Sequence, residues 1–186
     1  MMNNHKLTSN DEITKQVRSL GMETWDNLCN YVQNLNYGRN ANRSDFNLVI
    51  KEQKGTCSSK HAFLKNLADL NNIDVQLVLG IYKMKRENTP KIGSVLHDSN
   101  LDFIPEAHCY LKVKNRRYDF TFKNSAISNI EKDILIEEEI VPKQTIHYKN
   151  ELHKKFIKNW IQAKNVHYTF EQLWHIRENC IKNLTQ

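Results

Sequence analysis

The chain has 186 residues, 39% of them hydrophobic and 26% charged, with a formal net charge of +6, which fits one globular domain with a buried core and room for a cleft. Sparse Pro and Gly argue against fibrous or linker-dominated chains. No run approaches the roughly 18 to 20 apolar residues that span a bilayer, and the opening MMNNHKLTSNDE lacks the apolar segment of a secretory signal. The expected location is therefore cytoplasmic, with no membrane partner. Lys and Arg are scattered and form no stripe with interleaved aromatics, so a solvated mixed surface is favoured over a nucleic-acid partner. Cys29, Cys57, Cys109 and Cys180 show no C-x-x-C spacing and are expected as free thiols.

Residues 1–10 are polar and are expected to be disordered, leaving 11–186 as a single domain. From Asp11 to Leu35, Ile13, Val17, Leu20, Trp25, Leu28, Val32 and Leu35 recur at helical spacing, with a break near Gly21. The polar stretch from Asn36 to Ser44 reads as an ordered loop. After Gln53 to Lys60, the positions of Ala62, Phe63, Leu67 and Leu70 predict a helix opened by Cys57 and ending near Asn71. Val75, Leu77, Leu79 and Ile81 alternate like a strand.

Residues 83–105 are polar, contain Pro90, Gly93 and Pro105, and read as a long excursion of a functional kind, a candidate lid over Cys57. Two strands, Ala107 to Val113 and Arg116 to Phe122, flank a tight turn at Lys114-Asn115. The block from Glu131 to Glu139 is a run of acidic charge. Helices are expected over about 150–164 and 169–184.

The chemistry concentrates on three residues. Cys57 opens a helix, where the partial positive charge and unpaired N–H groups stabilise a thiolate and can hold an oxyanion. If Lys114-Asn115 is a two-residue hairpin loop, 110 faces 119 and 108 faces 121. His108, Tyr110, Asp119 and Thr121 then share one face, with His108 and Asp119 as diagonal neighbours within side-chain reach. A carboxylate there orients the imidazole and supports its charged form. Ala107, Cys109, Leu111, Tyr118, Phe120 and Phe122 form the opposite, core face. A surface role is expected for His61. The other histidines have no ligand spacing, so no metal is expected.

Gly55-Thr56-Cys57 opening a helix, then Glu106-Ala107-His108-Cys109-Tyr110 and Arg117-Tyr118-Asp119-Phe120-Thr121 on adjacent strands, resembles the transglutaminase-like superfamily over Gln53 to Phe122. Tyr37-Gly38-Arg39-Asn40, the Gly55 to His61 segment and Trp174-His175-Ile176-Arg177-Glu178 are similar to a bacterial group of that superfamily without an assigned substrate. The resemblance implies an α+β, papain-like or transglutaminase-like core. In it, the Cys57 helix packs on an antiparallel sheet, with helices flanking at both ends.

It further implies a Cys57-His108-Asp119 triad that hydrolyses an amide or ester, or transfers an acyl group, through a thioester. The substrate would be a peptide, a protein or a small amide, and no cofactor is expected. The oxyanion donors considered are the backbone N–H of Cys57 and the side chains of Gln53, Asn47 and Trp25. Arylamine-acetyltransferase-like transfer from CoA and a catalytically silent binding module on the same fold remain open alternatives.

Overall fold

The computed structural model describes residues 4–184. Its N-terminal amphipathic stretch forms two helices, α1 (Glu12–Ser19) and α2 (Trp25–Asn34). Asp11 and Thr24 cap them, their side chains accepting from the N–H groups of Thr14 and Asn27. The break falls at Gly21, whose φ of 87° favours a residue without Cβ. The polar start is tied down where it is described. Leu7 is buried and donates to the Glu23 carbonyl, and the N–H groups of Thr8 and Ser9 donate to the Asn71 side chain. Backbone hydrogen bonds order this segment, and composition carries no trace of them. Residues 1–3 lie outside the described residues.

Asn36–Tyr37 (β1) pairs in parallel with Lys54–Gly55 (β2), with the single-turn helix α3 (Leu48–Lys51) between them. The long helix α4 (Cys57–Leu70) follows directly. The main sheet is antiparallel, in the order β5 (Arg116–Tyr118), β4 (Ile104–Val113), β3 (Gln76–Met84), β6 (Ile134–Ile140). The hairpin register is the one the two-residue turn dictates, Leu111 facing Tyr118 and Val113 facing Arg116. The ladder stops at Tyr118, short of the expected strand end at Phe122. There the Asp119 carboxylate accepts from the N–H and hydroxyl of Thr121 and turns the chain out of the sheet.

Much of the acidic block, to which the sequence reading assigns no element, lies in an edge strand, β6. Glu137 accepts from Tyr110, Lys112 and Arg117, so much of its charge is met within the sheet. Tyr110 reaches it across Gly80, where a Cβ would lie 2.9 Å from the Tyr110 ring. The missing side chain at Gly80 makes that crossing possible.

Both faces of the sheet are covered. Leu77, Leu79, Ile81, Ala107, Cys109 and Leu111 pack with Trp25, Leu28, Phe63 and Leu67 of α2 and α4. Tyr82, Met84 and Ile104 belong to a second cluster with Ile157 of α6 (His147–Lys164) and with Leu173 and Cys180 of α7 (Phe170–Asn183). The strand face carrying His108 is thus an interior one, with Tyr110 fully buried and Glu106 nearly so. Within 83–105, β3 continues to Met84, and Ile92 and Leu96, the latter in the short α5 (Val95–Asp98), are buried in the second cluster. The architecture is mixed α+β. No helix among the described residues is long and apolar enough to cross a membrane.

Candidate active site

Cys57 is the first residue of α4, held there by a reciprocal cap. The N–H of Thr56 donates to Ser59 Oγ at 2.9 Å and Thr56 Oγ1 accepts from the N–H of Ser59. Gly55 has no positive φ; its role is space, since a Cβ there would lie 2.8 Å from Lys60 and 2.9 Å from Ser59, inside the cap itself. The left-handed residue before the helix is Gln53, at φ 51°.

His61, for which a surface role was expected, is fully buried and clasps the site from within. Its Nδ1–H donates to the Cys57 carbonyl at 2.8 Å, and its Nε2 accepts from the N–H of Phe120 at 2.9 Å. The two bonds fix a neutral tautomer, and burial moves its pKa down to about 4 although Asp119 opposes this. Lys60, also buried, spans Leu35 and Thr121 by donating to both carbonyls. Two consecutive residues of α4 therefore fasten the segment that carries Asp119.

Asp119 Oδ2 accepts from His108 Nε2 at 3.0 Å, and both side chains are largely shielded, 8% and 13% exposed. With Nε2 committed, Nδ1 is the nitrogen left to hydrogen-bond the Cys57 sulfur. Burial alone would push the Cys57 thiol up, but the Lys149 and His108 cations outweigh it and bring it to about 5. Burial also acts against the His108 cation, yet Asp119 and the Cys57 thiolate raise its pKa to about 10. Desolvation likewise opposes ionisation of Asp119, and His108 more than compensates, holding that carboxyl well below its usual range. The arrangement can hold a thiolate–imidazolium pair at neutral pH, with a carboxylate steering the ring.

Lys149, from the first turn of α6, belongs to the site although no motif of the sequence marks it. Its buried ammonium lies 3.4 Å from Cys57 Sγ and donates to Ser58 Oγ at 2.8 Å. Lys149, His153 and Ile157 are the buried residues of this helix, spaced four apart. The signal was present as a polar extension of the apolar stripe that Ile157 marks. His153 donates to the Pro105 carbonyl. Arg177 clamps the buried Glu106 through two hydrogen bonds of 2.7 and 2.6 Å. By strand alternation Glu106 shares a face with His108, which is the one hint of it in the sequence.

Two cavities meet at Cys57. One, of about 290 Å³, is bounded by the 39–46 loop, α6 and α7 and includes Lys149, Arg177 and Arg43. The other, of about 260 Å³, contains His108, Asp119, Tyr82, Phe122 and Ile130, with residues 88–91 at its border. Tyr37, Cys57 and Glu106 line both. Among the side chains considered for the oxyanion, none lines either cavity. Gln53 is exposed and donates to the Tyr31 hydroxyl, Asn47 precedes α3, and Trp25 is buried in the first core beside a separate cavity. Sequence proximity misled for Gln53, because its left-handed backbone turns it away from the helix start. The Cys57 N–H, at the first helical position, and the Lys149 ammonium are the donors in place. Among the described residues, no group of His, Cys, Asp or Glu is arranged to hold a metal ion.

Comparison of the chain with family models, with curated proteins and with solved structures finds no match in any of the three.

Proposed function

We propose that the protein is a cysteine-dependent amide or ester hydrolase, or acyl-transferase, with a transglutaminase-like core. Cys57 is the nucleophile, His108 the acid–base and Asp119 its orienting carboxylate. The observation that carries this reading is the 3.0 Å His108–Asp119 bond beside a buried thiol lowered to about 5. A purely structural hairpin has no need to desolvate a histidine, a carboxylate and a cysteine together.

In the proposed reaction the thiolate attacks the acyl carbon, forming a C–S bond while the carbonyl electron pair moves onto oxygen. The oxyanion rests between the Cys57 N–H and Lys149. As the tetrahedral species collapses, the C–N or C–O bond breaks, and the leaving group takes the electron pair and a proton from His108. The resulting thioester is released by water, giving a carboxylic acid, or by an amine, giving a new amide.

The test is mass spectrometry of the protein after exposure to p-nitrophenyl acetate. An acetyl group is expected on Cys57, absent in Cys57→Ser and formed at least roughly a hundredfold more slowly in His108→Ala. Acetylation of Cys57 no faster than that of a free cysteine, and indifferent to His108→Ala, would reject catalysis and leave a binding module.

A further inference from the structure

The two cavities that meet at Cys57 differ in character. Arg39, Arg43, Lys149, Lys154 and Arg177 line the first, against two carboxylates, Glu106 and Glu178. Those carboxylates are already engaged. Arg177 holds Glu106 in a bidentate pair and reaches Glu178 at 2.6 Å, and Arg39 reaches Glu178 at 3.2 Å. Lys149 donates to the neutral Ser58 hydroxyl, and the anion nearest its ammonium is the Cys57 thiolate, with Glu106 beyond it already held by Arg177. Arg43 makes no hydrogen bond or ion pair to another described residue, and Lys154 has one exposed contact, to Glu151 at 3.6 Å on its own helix. The second cavity is walled by Tyr82, Phe122, Ile130, Ile181 and Leu184 around His108.

Charge bookkeeping along the reaction sharpens the contrast. Once Cys57 is acylated its negative charge is gone, and the buried Lys149 ammonium keeps a neutral hydroxyl from Ser58 and the more distant charge of Glu106, which Arg177 already pairs, so it has lost its nearest anion. A substrate that brings its own anion into this cavity supplies the missing charge. The two wall carboxylates favour a monoanion over a dianionic phosphate.

His108 lines only the apolar cavity and Lys149 only the cationic one. The leaving group must lie on the side of His108, which protonates it, so the acyl portion points toward Lys149. Resting on the hydrolase or transferase reading above, we propose that the substrate is an acyl compound whose acyl portion carries a carboxylate, bound in the cavity lined by Arg43, Lys149 and Lys154, and whose leaving group is apolar.

The experiment compares iodoacetate with iodoacetamide as alkylating agents of Cys57 in the full chain. Each forms an S–CH2 bond as iodide departs with its electron pair, and they differ in one negative charge. The iodoacetate-to-iodoacetamide rate ratio is expected to exceed that of free cysteine by about tenfold. It should fall by a similar factor in Arg43→Gln/Lys154→Gln while holding in Lys155→Gln, a change on the solvent side of the same helix. A ratio equal to that of free cysteine, or one that the double variant leaves in place, overturns the anion subsite.

In a second arm the protein is offered an equimolar mixture of p-nitrophenyl hemisuccinate and p-nitrophenyl butyrate. Succinyl is expected on Cys57 in about tenfold excess over butyryl, and equal labelling overturns the placement of the acyl group. The two readings fail differently. Rapid alkylation without charge preference removes the subsite alone. Charge-selective alkylation without any acyl-enzyme removes the hydrolase reading, and with it the acyl placement, while the anion subsite stands, and an inert Cys57 removes all three.

Discussion

The ammonium of Lys149 on α6 lies 3.4 Å from the sulfur of Cys57 at the start of α4, across 92 residues of sequence. The proposed nucleophile therefore has two cationic neighbours, because His108 approaches it from the strand side. Replacing Lys149 by Met keeps the volume and removes the charge. The thiol pKa, about 5 with both cations in place, is expected to rise in Lys149→Met and also in His108→Ala. Each change alone should raise it, and the double variant, in which burial is no longer opposed by either cation, should carry it above the ordinary value near 8.5. Ultraviolet absorbance of the thiolate against pH reads this directly. A pKa unmoved by Lys149→Met would mean that the ammonium does not act on the sulfur.

Asp119 acts on His108 in the opposite sense to burial, raising its pKa by charge and by hydrogen bond. The thiolate–imidazolium pair is populated above the thiol value of about 5 and below the imidazole value of about 10. A bell-shaped rate profile with limbs near those values is expected for esterase turnover. Asp119→Asn removes the carboxylate that raises His108, so the alkaline limb should move to lower pH. The maximal rate should drop by roughly two to four orders of magnitude. An alkaline limb that stays in place would assign it to another group.

Much of this geometry was legible in the chain, for local reasons. The Lys114-Asn115 turn fixes the hairpin register as far as Tyr118, which aims the next residue, Asp119, toward the His108 face, and the bonds of Lys60 and His61 to Thr121 and Phe120 hold it there. Thr56 and Ser59 mark where α4 begins, and so place Cys57 at its first turn. What escaped depends on packing between distant elements. Lys149 meets Cys57 only because α6 lies across β4 and the start of α4. His61 looked like a surface residue because helical periodicity does not reveal that a polar residue is clasped between two backbone groups. The β6 strand was hidden because its acidic residues look solvated until Lys112 and Arg117 are seen to meet Glu137.

Glu106 and Arg177 form a buried pair next to the site, with side chains 7% and 12% exposed. Removing one partner leaves the other charged in a poorly solvated place. Glu106→Gln and Arg177→Met are each expected to destabilise the fold by about 3–5 kcal/mol. The double variant should cost less than the sum, with a coupling of roughly 0.5–3 kcal/mol in a denaturant-unfolding cycle. Additive losses would show that the two side chains do not depend on each other.

His61 joins the two halves of the proposed triad without touching substrate, by donating to the Cys57 carbonyl and accepting from the Phe120 N–H. His61→Leu strands both backbone groups in the interior, a loss on the order of 2–4 kcal/mol at neutral pH. The pH dependence of that loss carries a further sign. His61 has a folded pKa of about 4, below its ordinary 6.5. Between those values the unfolded chain takes up a proton that the folded chain refuses. Its contribution is complete above 6.5 and is lost as pH falls toward 4, by an amount on the order of 3 kcal/mol. Leucine has no proton to take up, so the stability gap between wild type and His61→Leu should narrow as pH falls from neutral toward 4. Urea unfolding of both proteins across that range measures the gap. A gap of constant size would mean that His61 is not held neutral and that its clasp on Cys57 and Phe120 is weaker than its geometry requires.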